Sequence, residues 1–236
     1  MDVSTNGGIG QLASVFLRGH NSNQTLVKVN GIKINPNTAG GASFYNLDSD
    51  LISRIEVGYG SLSAVNGSEA MGGVLNISTR NSSKENSVQL SMSLGPDKFK
   101  KRTIKANGNN GALSFGVAHS INKTDGYPVL SNSYLDRGYE NESYIADVSF
   151  EKDNFEYSFS SWDAKGYVEY LLFGNPVSQN FVNKAYGSSI KVELNEDFLL
   201  KTNINSSKDL IRQNELNYLQ SIDLTQTKRD FVEISI

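Results

Sequence analysis

Between Val88 and Ile204 the chain alternates apolar and polar residues again and again. Val88, Leu90, Met92 and Leu94 alternate with Gln89, Ser91 and Ser93. Leu113, Phe115 and Val117 alternate with Ser114, Gly116 and Ala118. Tyr144, Ala146, Val148 and Phe150 follow the same rule, as do Phe155, Tyr157 and Phe159, then Ile190, Val192 and Leu194 around Lys191 and Glu193. Phe198, Leu200 and Ile204 share a face with Thr202. A two-residue period puts all the apolar groups on one face of an extended strand. Short polar turns at Lys152-Asp153-Asn154 and Asn195-Glu196-Asp197 alternate with longer connections expected over Lys123 to Glu142 and Gly166 to Gly187. That is an antiparallel meander with tight turns at one end and loops at the other. A two-layer sandwich and a membrane barrel both satisfy it: the first buries its apolar face on a second sheet, the second turns it to lipid. Tyr127, Tyr139, Tyr144, Trp162, Tyr167 and Tyr170 stand near strand ends, where a barrel is expected to carry an interfacial aromatic girdle.

The first eighty residues have another texture. Short apolar runs are separated by Gly, Ser and Asn. Ser14 to Arg18, Ile52 to Val57 and Val74 to Thr79 read as strands. Leu26 to Val29 and Ile32 to Ile34 flank Asn30-Gly31, the pair that supplies the two positive-φ residues of a type I′ hairpin turn. Leu47 to Leu51 suits one helical turn, and Ser61 to Asn66 a short helix stopped by Gly67. The segment from Gly60 to Arg80 is mostly Gly, Ser and Ala, which bury little area but let backbones approach closely; Gly72-Gly73 also admits conformations closed to other residues. A small α+β unit followed by a β meander is expected, divided as 1–80 and 85–236.

Several function classes are excluded or disfavoured. The formal net charge of -3 leaves no basic footprint for nucleic acid. Cysteine is absent, so disulfides and thiolate metal sites are ruled out. His20 and His119 have no paired ligand spacing, and Gly58-Tyr59-Gly60 lacks the third glycine and long helix of a dinucleotide loop. No nucleophile elbow or triad is visible, so the chain does not read as an enzyme, and no cofactor is expected. Sequons at Asn23, Asn66, Asn76 and Asn122 are accidents of an Asn-rich chain. No apolar run approaches the roughly 18 to 20 residues of a membrane helix, and the opening MDVSTNGGIG has neither the basic nor the apolar region of a signal peptide, so it is not expected to be one.

Four ordered pieces resemble the plug of TonB-dependent outer-membrane receptors: Phe16-Leu17-Arg18-Gly19, Val27-Lys28-Val29-Asn30-Gly31-Ile32, Ile52-Ser53-Arg54-Ile55-Glu56-Val57, and Gly67 through Ala70 to Gly72-Gly73-Val74-Leu75-Asn76-Ile77. The resemblance implies the second half of a plug over 1–80 and the N-terminal part of an outer-membrane β-barrel over 85–236. Departures are specific. Asn30-Gly31 replaces Asp-Gly, Tyr59-Gly60-Ser61 replaces Arg-Gly-Pro, and Asn66-Gly67 replaces Tyr-Gly. In relatives, plug arginines pair with barrel glutamates; Arg18 is the candidate for such a lock, and Tyr59 cannot serve.

Within the family, Asn6 to Phe16 and Gly19-His20-Asn21 look most like the cobalamin transporters. That likeness implies substrate contacts at Leu12, Ser14, Asn21, Ala39 and Gly40, the last two in the Gly-rich loop Asn35 to Ser43. Calcium-binding acidic loops of those transporters have a counterpart only in Asp163 and Glu169, because Phe173 to Tyr186 has no carboxylate; a calcium site is expected to be absent or reduced. The resemblance further implies a TonB-type energy transducer that pairs with an N-terminal box, outer-membrane lipid around the strands, and a large nutrient such as cobalamin or a ferric siderophore. Receptors of this kind close about 22 strands, while 85–236 provides roughly eight. The chain is therefore expected to be an internal fragment that does not insert or transport alone. A ferric-siderophore or haem receptor is the alternative substrate class, and a β-rich surface adhesin or binding protein the alternative of another kind.

Overall fold

The computed structural model describes residues 1–5, 7–36, 41–79, 86–128, 134–172, 175–195, 197–215 and 221–235. Strand β1 (Asp2–Thr5) pairs antiparallel with β2 (Ala13–Phe16), Ser4 opposite Ser14. Four strands form a mixed sheet: β3 (Thr25–Val29), β4 (Ile32–Lys33), β5 (Arg54–Tyr59) and β6 (Gly73–Ser78), in the order β4-β3-β6-β5. Asn30 at φ 50° and Gly31 at φ 83° make the expected hairpin turn. Helix α1 (Ser63–Asn66) stops at Gly67, at φ 89°. A 3-10 turn, Ser49–Leu51, follows Asp48, whose carboxylate accepts from the Asp50 amide at 2.9 Å.

The remaining strands are β7 (Ser87–Leu94), β8 (Lys100–Asn109), β9 (Leu113–Thr124), β10 (Tyr139–Lys152), β11 (Phe155–Leu172), β12 (Asn175–Glu193), β13 (Leu199–Glu215) and β14 (Ser221–Ser235). They form one eight-stranded antiparallel sheet in sequence order. Its two faces decide between the architectures the alternation allowed. The small mixed sheet packs on one face, where Val27, Val29, Ile32, Leu75 and Ile77 share a core with Ile145, Trp162, Ala164 and Ala185. Much of that inner face is small and polar, with Ser143, Ser158, Ser160, Ser178 and Asn183 buried. The apolar face points away from everything else in the molecule: Val88 is 72% and Leu90 74% exposed, and Phe115, Val117, Val232 and Ile234 are exposed too. Apolar groups outward around a polar, filled interior are the arrangement of a membrane barrel wall, the reverse of a sandwich.

Two expectations are corrected. Gly166 to Gly187 is not a long connection. Strands β11 and β12 run on to 18 and 19 residues and stay paired from Phe155↔Val192 to Leu172↔Asn175. Roughly 9 to 11 residues cross a bilayer when tilted, so this hairpin stands well clear of it. Its outer part breaks the apolar pattern because its outward positions carry charges that pair across strands, Asp163 with Lys184 at 3.5 Å and Lys165 with Glu142 of β10 at 2.9 Å; Glu140 of β10 pairs likewise with Lys123 of β9 at 2.8 Å. The aromatic girdle also fails for three residues. Trp162 and Tyr139 are 3% and 4% exposed and face inward, and Tyr170 packs beside Tyr139, Val168 and Phe181. Tyr144 does face outward.

Candidate functional site

The site is the surface that the small unit presents at the loop end of the sheet, together with the wall that holds it. Its first part is the turn before β2. The Gln11 amide donates to the Gly8 carbonyl at 3.2 Å, and Gln11 Nε2 donates to the Glu169 carbonyl on β11 at 2.7 Å. Glycine is required by the wall at Gly10, and at Gly8 a side chain would have to push the Tyr127 ring tip aside. A Cβ on Gly10, at φ +80°, would sit 2.1 Å from Tyr139 Cδ2, and one on Gly8 would sit 2.7 Å from the Tyr127 hydroxyl. Gly72 and Gly73 are also needed for close approach, but within the small unit: their Cβ atoms would meet His20 Cβ at 2.6 Å and the Gly58 carbonyl at 2.3 Å. The small-residue run thus closes the unit on itself, and the tight contacts with the wall fall at Gly8 and Gly10.

Leu12 is 52% exposed at the start of the strand that carries Ser14, which is half-buried. Asn21 is exposed and opens the 3-10 turn Ser22–Gln24; its amide donates to Gln24 Oε1 at 3.1 Å. Ala39 and Gly40 lie outside the described residues. Arg18 sits in a tight turn at φ 49°, with the His20 amide donating to the Leu17 carbonyl at 3.0 Å. Its guanidinium lies 4.9 Å above the centroid of Tyr59, the residue that departs from the family pattern.

Two ion clusters that the sequence reading missed tie the small unit to the wall. Lys101 Nζ on β8 reaches Asp48 Oδ1 at 2.6 Å and Asp50 Oδ2 at 2.9 Å. Ser120 and Thr103 donate to the same two carboxylates. Arg229 Nη2 on β14 meets Glu69 Oε1 at 2.8 Å. The available signal was a lysine at an inward position of a strand that presents Thr103, Lys105 and Asn107 on the same face, and an Asp-Ser-Asp turn with no charge of its own to pair with. A polar network completes the attachment: Asn46 donates to Asn183 at 2.6 Å, Asn183 to Asp209, Asn141 to the Asn46 carbonyl at 3.2 Å, and Gln179 to the Tyr45 hydroxyl at 2.6 Å. Burial pushes the Tyr45 phenol up to about 12. Toward the short-turn end a polar cavity of about 780 Å³ separates the β3–β4 hairpin from β11 to β14. Burial there, then the neighbouring Lys33, lowers the pKa of Lys28, whose Nζ donates to Asn66 at 2.6 Å.

Asp163 and Glu169 do not come together as a cation site. Asp163 accepts from Tyr186 at 2.8 Å, and Glu169 accepts from Tyr167 at 2.6 Å and the Gly138 amide at 3.0 Å. Among the described residues no group of three or more His, Asp or Glu side chains is placed to hold a metal.

Residues 1–74 match the family model of the TonB-dependent receptor plug domain. This stretch belongs to the TonB-dependent receptor plug family. The chain's mixed sheet is plug, and its eight-stranded sheet is wall of an outer-membrane β-barrel. The chain is 32% identical over 214 residues to a vitamin B12 transporter of Vibrio vulnificus, which covers 89% of this chain and 33% of that one. It is 29% identical to the vitamin B12 transporter of Vibrio cholerae over 100% of this chain and 38% of that one. The chain thus spans about a third of the length of these relatives. Among solved structures, the siderophore receptor PirA of Acinetobacter baumannii superposes with a TM-score of 0.71 at 17% identity, over 99% of this chain and 40% of that one. The ferric enterobactin receptor of Pseudomonas aeruginosa gives 0.67 at 16% identity, over 98% and 41%. At such identities these structures speak to the fold alone, and on that point the plug and wall agree with them.

Proposed function

We propose that this chain is the second half of the plug (1–80) and the N-terminal part of the barrel (85–236) of a receptor that imports cobalamin across the outer membrane. The supporting observation is the run of identity with vitamin B12 transporters through both plug and wall. In this reading the ligand arrives from the loop side and meets the plug apex at Leu12, Ser14 and Asn21, and at Ala39 and Gly40 in the neighbouring loop. Energy comes from a TonB-type transducer acting on the plug from the other side, and no catalytic step is involved. Arg18 serves as a plug lock beside the two ion clusters already described.

The test is ligand competition on cells that carry the intact receptor. Labelled cobalamin should bind saturably, and unlabelled cobalamin should displace it while ferric siderophores and haem do not. Growth of a cobalamin-requiring strain at limiting cobalamin should depend on the receptor. Displacement by an iron chelate instead would move the chain to the siderophore or haem class. A protein that stays soluble without detergent and gives no boiling-sensitive band on a gel would favour the adhesin reading.

A further inference from the structure

Beside the plug apex is a cleft of about 250 Å³ that the cobalamin likeness does not assign. It opens between the Gly8-Ile9 turn, the β7–β8 connection at Pro96 to Phe99, and the two ends of the β9–β10 connection at Tyr127 and Arg137. Ile9, Pro96, Phe99 and Tyr127 make it largely apolar. Arg137 is the exception. It is 3% exposed, and only its Nη1 is engaged, donating to the neighbouring Asp136 carbonyl at 3.0 Å. Its Nε and Nη2 are buried with no hydrogen-bond partner, and no carboxylate forms an ion pair with it among the described residues.

A guanidinium seldom goes into an apolar site without an anion, because the charge loses its hydration and gains nothing in return. The surroundings hold it there. Gly126, at φ +72°, presses on the Arg137 backbone so closely that a Cβ would lie 1.9 Å from the Arg137 carbonyl. The Thr124 hydroxyl and the Asp125 amide each donate to the Asp97 carbonyl at 2.9 Å, fastening the β7–β8 turn to β9. Lys98 and Asp125 neutralise one another at 2.5 Å. The unused Nε–Nη2 edge carries two parallel N–H donors, the fork that matches two oxygens of one oxyanion; both nitrogens are covered in the free protein, so a ligand that enters the cleft must displace the side chains over them to reach that edge.

We infer that this cleft is a ligand subsite in which Arg137 receives an oxyanion carried beside a flat apolar group. The oxyanion meets the Nε–Nη2 edge, and the apolar group lies against Ile9, Phe99 and Tyr127. Asp97, which also lines the cleft, opposes the anion and sets a limit on its affinity. The cleft is on the inner, plug side of the wall, beyond the reach of bilayer lipid, so the ligand comes from the outer solution. Under the import reading, on which the identity of the natural ligand rests, the matching group of cobalamin is the phosphodiester next to its benzimidazole base.

The experiment uses the intact receptor in detergent with phenyl phosphate as the probe and benzyl alcohol as its neutral counterpart, each titrated calorimetrically. Wild type should bind phenyl phosphate saturably. Arg137→Gln should weaken it at least tenfold and Asp97→Asn should tighten it, with benzyl alcohol unaffected by either. Boiling-sensitive migration checks folding; if Arg137→Gln fails that check, Ile9→Asp, which leaves Arg137 in place and brings a competing carboxylate to the cleft, should give the same loss. No saturable binding to wild type, or equal binding to the variants, overturns the inference. A second arm compares cobalamin with cobinamide, which lacks the nucleotide: Arg137→Gln should weaken only cobalamin. If phenyl phosphate binds and cobalamin does not, the subsite stands and the import reading fails. If cobalamin binds with equal affinity to wild type and Arg137→Gln, the import reading stands and the assignment of the cobalamin phosphodiester to this subsite is overturned.

Discussion

Replacing Lys101 with Met should loosen the plug without unfolding the wall. The Lys101 side chain is 11% exposed and that of Asp48 1%, so the pair is shielded from water and salt. Removing one partner of such a pair leaves a buried charge and typically costs about 3–5 kcal/mol. The loss here is discounted to about 2–4 kcal/mol, because Asp48 keeps hydrogen bonds from the Ser120 hydroxyl and the Asp50 amide. At 1.4 kcal/mol per tenfold, local opening around Asp48 should become roughly 30- to 800-fold more frequent. Hydrogen-exchange mass spectrometry of the intact receptor reads this segment by segment. Peptides over 44–52 and the β3 and β6 strands should exchange faster, while β11 and β12 keep their protection. The double variant Lys101→Met, Asp48→Asn removes both charges and should recover most of the protection. Raising salt from about 0.1 to 1 M should change wild type little, since screening acts mainly on exposed charges. Unchanged exchange in Lys101→Met, or a double variant no better than the single one, would refute the idea that this buried pair fastens the plug.

Other outcomes follow from single contacts. Gly10→Ala should displace the apex and reduce ligand affinity, because its Cβ would meet Tyr139 at 2.1 Å in a backbone already at φ +80°; a crystal structure of the variant or a binding isotherm checks it. Leu90→Arg, on the outward face, should impair barrel assembly by about 2–4 kcal/mol near the bilayer midplane, whereas Gln89→Arg on the opposite face should be tolerated, as read by the boiling-sensitive band. Arg18→Ala and Tyr59→Ala should each reduce plug protection by about 0.5–1 kcal/mol if the cation–π contact is all that Arg18 provides; a clearly larger effect of Arg18→Ala supports its role as a lock to the barrel. For Tyr45, the folded pKa of about 12 lies above the ordinary value of 10.0. Its contribution to stability is therefore complete below pH 10 and is lost as pH rises toward 12. Alkaline denaturation monitored on the plug should show this step, and Tyr45→Phe should remove it.

Much of the fold was legible because it is written in local patterns. Alternation places Leu113, Phe115 and Val117 on one face whatever lies beyond them, and Asn30-Gly31 needs only its own two positive φ angles to turn a hairpin. The ordered plug motifs place the small unit next to a barrel wall. Local pattern is silent wherever two distant segments must be compared. An alternating strand has two faces but does not say which one meets the plug, so Trp162 and Tyr139 read as interfacial aromatics and proved to be plug contacts. The outer halves of β11 and β12 read as loop because their outward positions are charged. Only the register, Ala164 opposite Asn183 and Asp163 opposite Lys184, shows that those charges pair across a continuing ladder. Asp48 and Lys101 are ordinary surface charges in the sequence; they become a buried pair because the plug turn comes to rest on the inner face of β8. Arg137 was likewise one cation in a polar connection until the Gly8-Ile9 turn and the β7–β8 turn closed around it. Burial and charge pairing arise from what the chain brings together across long separations, so the sequence by itself determined the apolar-patterned strands, the turns and the plug, and the tertiary structure decided how far β11 and β12 run and which side chains act.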